Sequence, residues 1–349
     1  MEQLELEKLN NNVPHDCPGT QSQDAGKTDS CKGCPNMKIC SSGELKKEID
    51  LSKILSNFTN IQSIIFVLSG KGGVGKSSFA ANFARYLADH DPNKNVGLLD
   101  IDLCGPSIPQ MMNISNQKVH QSANGWSPIY VQENLLVMSI GLLLDSLDDA
   151  VIWRAPKKNA MIKQFLEDVD WGYDIDFLII DTPPGTSDEH MSIFSYLKPC
   201  LNVNSGAIII TTPQEISLLD VRKEINFCKK SGVHILGVVE NMNKFVCPNC
   251  HKSSFIFPNH SSNIKLMQQD GVDQISKAVN IESLKIDHFP SNETNVQKMC
   301  KDMGVKYLES IPLDINFRKV CDAGESYFEK FPNTPICDIF ENIRKKTII

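Results

Sequence analysis

Six short runs rich in Ile, Val and Leu recur along the chain, and each has Gly, Asp, Pro, Thr or Asn at or next to its last position. They lie at 64–70, 95–102, 135–141, 177–183, 205–213 and 234–242. The segments between them carry helical patterns, at 77–89, 156–169, 187–198 and 215–231. Buried strands that alternate with helices predict right-handed βαβ units and a mainly parallel, doubly wound sheet, which is an α/β fold. Ligands of such sheets bind at the carboxyl ends of the strands.

The remaining chain divides by composition. Residues 1 to about 50 contain few apolar residues and many Asn, Asp, Ser, Gly, Pro and Cys. Alone, this segment could not bury enough surface to fold, so it is either a disordered tail or ordered by something other than a core. Residues 51–345 are assigned to the α/β domain. Within it, the polar stretch at about 259–295 interrupts the pattern and is predicted to be a partly disordered surface insertion.

Charge and hydropathy argue against several classes of protein. The net charge is −7 and no long basic stripe stands out, so we expect no nucleic-acid partner. No apolar run reaches the roughly 18–20 residues of a membrane helix, so no membrane association is expected. The acidic N-terminus lacks the apolar core of a signal peptide, which predicts a cytoplasmic protein. Disulfides are disfavoured in the reducing cytoplasm, so the twelve cysteines of the chain need another explanation.

A glycine-rich segment follows the first run and matches the pattern GxxxxGK[ST], between a predicted strand and an amphipathic helix. Its backbone N–H groups can turn inward on an anion, and the helix N-terminus adds partial positive charge. Lys76 is predicted to reach the β- and γ-phosphates of a nucleotide, and Ser77 to bind Mg²⁺. The candidate nucleotide-binding residues of this loop are Gly70, Lys71, Gly72, Gly73, Val74, Gly75, Lys76, Ser77 and Ser78.

Three aspartates stand at the ends of two later apolar runs, where a magnesium ion beside a triphosphate would lie. Asp181 is the candidate for holding a Mg²⁺-bound water, and Asp100 for the metal shell. Asp102 is the candidate for orienting the attacking water, which makes it catalytic together with Lys71 and Lys76. Any one of the three carboxylates could instead cap a helix.

Lys71 is a second lysine in the loop. Two lysines that point at one triphosphate would repel each other unless they serve different molecules. The segment GKGGVGKS resembles the deviant Walker A motif of dimeric P-loop nucleotidases similar to the nitrogenase iron protein, MinD and ParA. In that class the early lysine crosses the dimer interface to a phosphate of the partner's nucleotide. The resemblance therefore implies that Lys71 acts in trans and that hydrolysis depends on dimer closure.

Longer segments restrict the resemblance to one branch of these nucleotidases. DIDLCGPSIPQM, VIWRAPKKNAMIKQFLEDVDWG, FLIIDTPPGTSDEH, VVENMNKFVCPNC and IPLD resemble the Mrp/nucleotide-binding-protein branch, the scaffold ATPases of iron–sulfur cluster assembly. This implies ATP as the nucleotide, although the motif does not itself exclude GTP. It also implies a homodimer or a heterotetramer with a shorter paralogue, apo iron–sulfur clients and targeting factors. The N-terminal cysteines resemble those of the branch's eukaryotic cytosolic member.

Cys247 and Cys250 form a CxxC pair after a predicted strand. Two thiolates cannot complete a tetrahedral zinc site or a four-iron cluster, so other ligands must join them. A second chain across a dimer two-fold would give four thiolates around one bridging [4Fe–4S] cluster. Other cysteines of the same chain or His251 are alternative ligands. A redox CxxC is the remaining alternative, although that motif usually opens a helix of a thioredoxin-like fold.

The N-terminal segment carries a second group of thiols in C-x13-C-x2-C-x5-C spacing, formed by Cys17, Cys31, Cys34 and Cys40. In a segment with almost no core, a metal could supply the folding energy. Spacing does not exclude zinc, while the family resemblance implies a stable [4Fe–4S] cluster. Most of the ungrouped thiols are predicted to be small buried hydrophobes; these are Cys104, Cys200, Cys228, Cys300, Cys321 and Cys337. Cys104 lies in the predicted switch segment, where a transient role is open.

Asn241 ends a predicted strand, and its amide is a candidate for binding the adenine edge, with Thr212 and Pro213 packing against the ring. Two other kinds of ATPase would carry the same loops. One is a ParA/MinD-like positioning ATPase, which needs a membrane-targeting tail or a basic DNA-binding patch. The other is a zinc-binding regulatory ATPase.

Overall fold

The structure, a computed structural model, describes residues 26–42, 51–103, 105–122, 125–143, 155–172, 175–246, 253–255 and 294–348. Most of the predicted insertion at 259–295 lies outside these residues. The chain separates into two compact units, Met1–Ser52 and Lys53–Ile349. The described part of the first unit contains a 3-10 turn at Asp29–Cys31 and a short helix, α1, at Met37–Ser42.

The described residues include eleven strands. The strands are β1 (Ser63–Leu68), β2 (Asn95–Asp100), β3 (His120–Ser122), β4 (Gly125–Ser127), β5 (Ile129–Gln132), β6 (Leu135–Ser139), β7 (Ile175–Asp181), β8 (Gly206–Thr211), β9 (Ile235–Val246), β10 (Ser253–Phe255) and β11 (Tyr307–Leu313).

Helices connect and cover these strands. Those of the second unit are α2 (Ser52–Phe58, whose first residue closes the first unit), α3 (Lys76–His90), α4 (Ile108–Met111), α5 (Ala155–Asp168), α6 (Asp188–Leu197), α7 (Glu215–Ser231), α8 (Asn295–Met303), α9 (Ile315–Ala323), α10 (Tyr327–Lys330) and α11 (Pro335–Thr347). Short 3-10 turns follow β6 at Ile140–Leu143 and α6 at Lys198–Cys200.

Nine of the described strands form one sheet in the order β10-β9-β8-β1-β7-β2-β6-β5, with β11 paired to β9. Only β5 and β10 run antiparallel to their neighbours in this described sheet. The central strands β1 and β8 are buried along their whole length, which explains why their sequences are continuous apolar runs rather than alternating ones. The predicted mainly parallel α/β fold is confirmed. The antiparallel strands at its two ends were not predicted.

Helices pack on both faces of the sheet and supply aromatic side chains to its two cores. On one face, Phe79 of α3 stacks on Phe83 of the same helix and on Phe340 of α11, and Phe83 lies tilted against Phe340. On the other, Phe194 of α6 packs edge-on against Phe66 of β1. Burying large rings on both sides fixes the sheet between the helices, and this holds the carboxyl ends of β1, β7 and β2 side by side.

Within the described residues, no helix combines the length and the apolar character that crossing a membrane requires.

Candidate functional site

Strand register brings the predicted acidic residues to one edge. Asp181, the last residue of β7, pairs with Val67 of β1 on one side and with Asp100 of β2 on the other. Parallel strands in register end at the same edge of a sheet, so the glycine-rich loop after β1 faces both carboxylates. Three segments far apart in the sequence thus converge on one site.

The loop between β1 and α3 depends on glycine at its last position. Gly75 precedes the helix with φ +87°, a left-handed conformation that glycine adopts without cost. A Cβ atom there would lie 2.3 Å from the amide nitrogen of Asn241. Gly75 therefore lets the loop turn into α3 while β9 approaches its backbone closely.

Gly70, at the start of the loop, packs directly against helix α7. A Cβ atom at this position would lie 2.7 Å from the backbone carbonyl carbon of Asp220. Such a contact is too short for any side chain, so only glycine fits between β1 and the helix. The loop entrance is therefore fixed in place by α7.

Lys76, the first residue of α3, lies among the acidic residues at the strand ends. Its ammonium donates to Asp181 Oδ1 at 2.7 Å and to Ser77 Oγ at 3.2 Å, and it lies 3.8 Å from Asp102 Oδ2. Lys76 is 6% exposed and Asp181 is fully buried. A buried charge that lacks its partner destabilises the fold strongly, so Lys76 and Asp181 hold each other in place.

Asp100 lies beside this pair without touching the lysine. Ser139 donates its hydroxyl to Asp100 Oδ2 at 2.8 Å, and the backbone N–H of Asp102 donates to Oδ1 at 3.0 Å. Burial, together with the neighbouring charge of Asp181, raises the pKa of Asp100. Burial also raises the pKa of Asp181, and Lys76 opposes that rise. The site concentrates more acidic groups than its one buried lysine can neutralise.

Asp181 Oδ2 is buried without a hydrogen-bond partner in the described structure. It is therefore an oxygen ligand available beside Ser77. The described residues contain no group of three or more His, Cys, Asp or Glu placed to hold a metal ion. Mg²⁺ bound with a nucleotide needs only one or two protein oxygens, since phosphates and waters complete its shell. The donors at this edge suit such an ion.

Lys71 differs from Lys76 in its surroundings. Its backbone carbonyl accepts a hydrogen bond from the Ser69 hydroxyl at 3.0 Å, which holds the loop backbone. Its ammonium has no ion-pair or hydrogen-bond partner in the described part of the chain. The two lysines of the loop therefore have different partners, and only Lys76 is bound to the acidic edge.

The segment after Asp181 is hydrogen-bonded to the phosphate loop and ion-paired with helix α5. The Gly185 N–H donates to the Ser69 carbonyl at 2.7 Å, and Glu189 pairs with Lys158 of α5 at 2.7 Å. His190 is fully buried, its Nδ1 accepts from the Ser187 N–H at 3.2 Å, and burial lowers its pKa to about 4. This segment is well placed to sense a phosphate beside Asp181.

The sequence prediction missed Ser139, Lys158 and Glu189. Ser139 closes an apolar strand, which is the signal that led to Asp100, so it could have been found. The Lys158–Glu189 pair joins two successive helices through residues 31 positions apart, and no local signal marks it.

Asn241 lies against the phosphate loop. Its amide nitrogen donates to the Val74 carbonyl at 2.9 Å. Thr212, predicted to pack against the adenine ring, has its hydroxyl 3.0 Å from the hydroxyl of Ser217 in α7. The predicted contact of Asn241 with an adenine edge stays a prediction.

The structure describes some of the predicted thiol ligands and not others. Cys17, Cys247 and Cys250 lie outside the described residues, as does Cys104. Cys31, Cys34 and Cys40 lie inside them, without forming a converged set of ligands in the described segment. The Thr28 hydroxyl, 3.2 Å from the Cys31 sulfur, lowers the pKa of that thiol. A thiol that ionises readily suits metal ligation.

The ungrouped thiols behave mostly as small apolar residues. Cys200, Cys228, Cys300 and Cys321 are buried, and Cys337 is half-buried. Burial raises the pKa of both Cys228 and Cys300 to about 12. These two thiols are therefore protonated and unreactive at neutral pH.

A doubly wound parallel sheet, a glycine-rich loop at the carboxyl end of its central strand, and a lysine bound to acidic strand ends together define a P-loop nucleotidase. Residues 60–286 match the family described as ParA, NUBPL iron-transfer P-loop NTPase. The chain belongs to this family, and it is a P-loop ATPase as predicted.

Two relatives support that assignment. The chain is 47% identical over 333 residues to a protein named cytosolic Fe–S cluster assembly factor NUBP1 homolog from Brugia malayi, covering 95% of this chain and 96% of the relative. It is also similar to the solved structure of a nucleotide-binding protein from Archaeoglobus fulgidus in complex with ADP. That match has 31% identity and a TM-score of 0.59, and it covers 79% of this chain and 92% of the other.

Proposed function

We propose that this protein is a scaffold ATPase of cytosolic iron–sulfur cluster assembly. It binds Mg-ATP, assembles a labile [4Fe–4S] cluster at a dimer interface and transfers that cluster to apo-proteins. The observation that carries the proposal is the different surroundings of two lysines in one loop. Lys76 is bound within its own chain to Asp181, whereas Lys71 has no partner in the described chain. A lysine placed in this way is available to a nucleotide of a second subunit.

Magnesium would be held at the acidic edge by Ser77 and, directly or through water, by Asp181 and Asp100. The unpaired Oδ2 of Asp181 supports this choice of ligands. When bound, the ion neutralises the negative charge that builds up on the β- and γ-phosphates during hydrolysis.

The protein's own groups account for the other parts of the mechanism. Loop N–H groups and the N-terminus of α3 hold the phosphates, and Lys76 moves from Asp181 towards them. Asp102 orients the attacking water, and Lys71 from the partner stabilises the developing charge. Because Gly185 is hydrogen-bonded to Ser69 of the loop, a change at the γ-phosphate reaches the segment that follows Asp181.

The labile cluster is cargo. Cys247 and Cys250 of two chains would provide four thiolates around it, and the two-fold axis would bring the two nucleotide sites together with them. The working unit is a homodimer or a heterotetramer with the shorter paralogous ATPase. Apo iron–sulfur proteins and their targeting factors are the partners, in the cytosol.

The N-terminal thiols would hold a second, stable [4Fe–4S] cluster through Cys17, Cys31, Cys34 and Cys40. The donor set fits a soft metal, since a hydrogen bond to Thr28 already favours the Cys31 thiolate. This cluster would order a segment that has few apolar residues to bury.

Anaerobic reconstitution with iron and sulfide tests the proposal. The expected result is a brown protein with a dimeric or larger mass, containing iron and acid-labile sulfide in equal amounts. Zinc alone in the purified protein would favour a regulatory ATPase. A monomer in every nucleotide condition, with no iron bound at Cys247 and Cys250, would contradict the proposed function.

A further inference from the structure

Strand β9 contains a backbone kink where it passes the phosphate loop. Met242 has φ 57°, in the left-handed region that a residue with a Cβ atom rarely occupies. Asn113 is the other such residue in the described chain, and asparagine tolerates this conformation far better than methionine. A strained backbone persists only where the surrounding contacts hold it, and such strain is concentrated at functional segments.

Strand pairing records the same kink independently. Ile311 of β11 pairs with Asn241, but Leu313 pairs with Phe245. Two steps along β11 therefore correspond to four steps along β9, so β9 bulges between Asn241 and Phe245. A bulge bends a strand and redirects the residues that follow it.

Before the kink, β9 is fixed on both faces. Asn241 donates to the Val74 carbonyl of the phosphate loop at 2.9 Å. On the opposite face, the buried carboxylate of Glu240 accepts from the Tyr307 hydroxyl at 2.9 Å and the Thr294 hydroxyl at 3.0 Å. A Cβ atom built at Gly75 would lie 3.3 Å from the Met242 methyl, so the side chain of the kinked residue lies beside the loop.

Beyond the kink, β9 stays paired with β11 at Phe245 and gains a second, antiparallel neighbour. Residues 244–246 pair antiparallel with 253–255, and these two segments together are called the thiol arm. The six residues that join them include Cys247 and Cys250. The bulge between Asn241 and Phe245 sets the direction in which β9 enters the arm, and Met242 is its left-handed residue.

We propose that Met242 is a positioning residue whose kink couples the phosphate loop to the thiol arm, so that nucleotide binding reorients the arm. The inference rests on the proposed function, which supplies the nucleotide. A nucleotide that shifts Val74 and Gly75 acts on Asn241 and Met242 directly, and these contacts give it unequal affinity for two positions of the arm. Such a difference is what a ligand needs in order to change a conformational equilibrium.

Two substitutions at Met242 change the cost of the kink in opposite directions. Met242→Gly removes the left-handed penalty and favours the kinked backbone roughly tenfold. Met242→Val adds a β-branched side chain and disfavours it. Asn113→Gly is the matched control, because it relaxes a left-handed residue that packs against Gly324 rather than the phosphate loop.

Hydrogen–deuterium exchange of the full chain, with and without saturating Mg-ATP, tests the coupling. We expect Mg-ATP to change amide exchange in residues 243–246 of the wild type and of Asn113→Gly. Met242→Gly loses this response, and Met242→Val shifts the nucleotide-free exchange of the arm in the direction opposite to Met242→Gly. A wild type that binds Mg-ATP without any change in the arm, or a Met242→Gly variant with the full response, would overturn the coupling alone. Failure to bind Mg-ATP would overturn the proposed function as well.

Discussion

The ammonium of Lys76 lies 2.7 Å from Asp181 Oδ1, joining the first residue of α3 to the last residue of β7. Both side chains are buried, so the site is held in position by a charge pair between two segments about a hundred residues apart in the sequence. A nucleotide would compete with Asp181 for this lysine. The position of the segment after Asp181 would then depend on the nucleotide.

Lys76→Ala should abolish the stabilisation of the protein by Mg-ATP and its hydrolysis. The substitution removes the phosphate ligand, and it also leaves the buried Asp181 without its partner, which costs about 3 kcal/mol of unfolding free energy. Thermal denaturation with and without Mg-ATP measures both effects.

The double variant Lys76→Ala/Asp181→Asn separates the loss of nucleotide binding from the loss of stability. Because the unpaired carboxylate is gone, most of the stability should return, while Mg-ATP still fails to raise the melting temperature. A double variant that Mg-ATP stabilises normally would show that Lys76 does not hold the nucleotide.

Lys71→Ala should retain nucleotide binding and lose most of its hydrolysis, since the lysine acts on the partner's nucleotide. Mixing it with the inactive Lys76→Ala protein tests this, because each mixed dimer has one site with both lysines. A two-fold dimer that exchanges subunits freely predicts recovery of about a quarter of wild-type turnover at equal mixing. If the mixture is no more active than the sum of its parts, Lys71 acts within its own chain.

Replacing both Cys247 and Cys250 with Ala should abolish the labile cluster, about half a cluster per chain for a site shared across a two-fold axis. The N-terminal cluster and Mg-ATP binding should remain. Iron analysis and visible absorbance of the reconstituted protein measure the loss. Cys337→Ala is the control, because this half-buried thiol has no neighbour at ligand spacing and its loss should leave the iron content unchanged.

Glu224→Gln should remove a pH dependence of stability. Both oxygens of this fully buried carboxyl lack partners in the described structure, and burial raises its pKa to about 7 from 4.5. Between these pH values the folded chain holds a proton that the unfolded chain releases. The stability that this carboxyl contributes is therefore present below pH 4.5 and is lost as the pH rises through 7.

Chemical denaturation at pH 5 and pH 8 measures this effect. Relative to the wild type, Glu224→Gln should gain up to about 3 kcal/mol between the two pH values. Glu215→Gln, at the exposed start of the same helix, is the matched control. An identical slope in wild type and Glu224→Gln would contradict the assignment of the proton to Glu224.

The sheet was predictable because its central strands are buried on both faces. The six predicted runs correspond to β1, β2, β6, β7, β8 and β9, and the helical patterns correspond to α3, α5, α6 and α7. The antiparallel strands at the ends of the sheet were missed. β5 carries polar and exposed residues, and β10 has three residues, which is too short for a periodic signal.

The convergence of candidate site residues could be anticipated where a motif or a strand end marked them, as for Lys76 and Asp181, whose roles stay predictions. What the sequence could not provide is which groups meet across the fold. The contact of Asn241 with Val74 depends on strand order, and the kink at Met242 depends on how β11 pairs with β9. Likewise, the buried state of Glu224 follows from helix packing, since an acidic residue in an amphipathic helix is ordinarily exposed.

The close packing of Gly70 against Asp220 limits how this enzyme could be engineered. Chemical-genetic strategies enlarge a binding pocket to admit a bulky nucleotide analogue, and at this end of the loop the helix backbone leaves no room to remodel. Under the proposed contact of Asn241 with the adenine edge, altered analogue specificity would be built around that residue instead. Such a version of this ATPase would keep its phosphate chemistry while accepting a base that cellular enzymes reject.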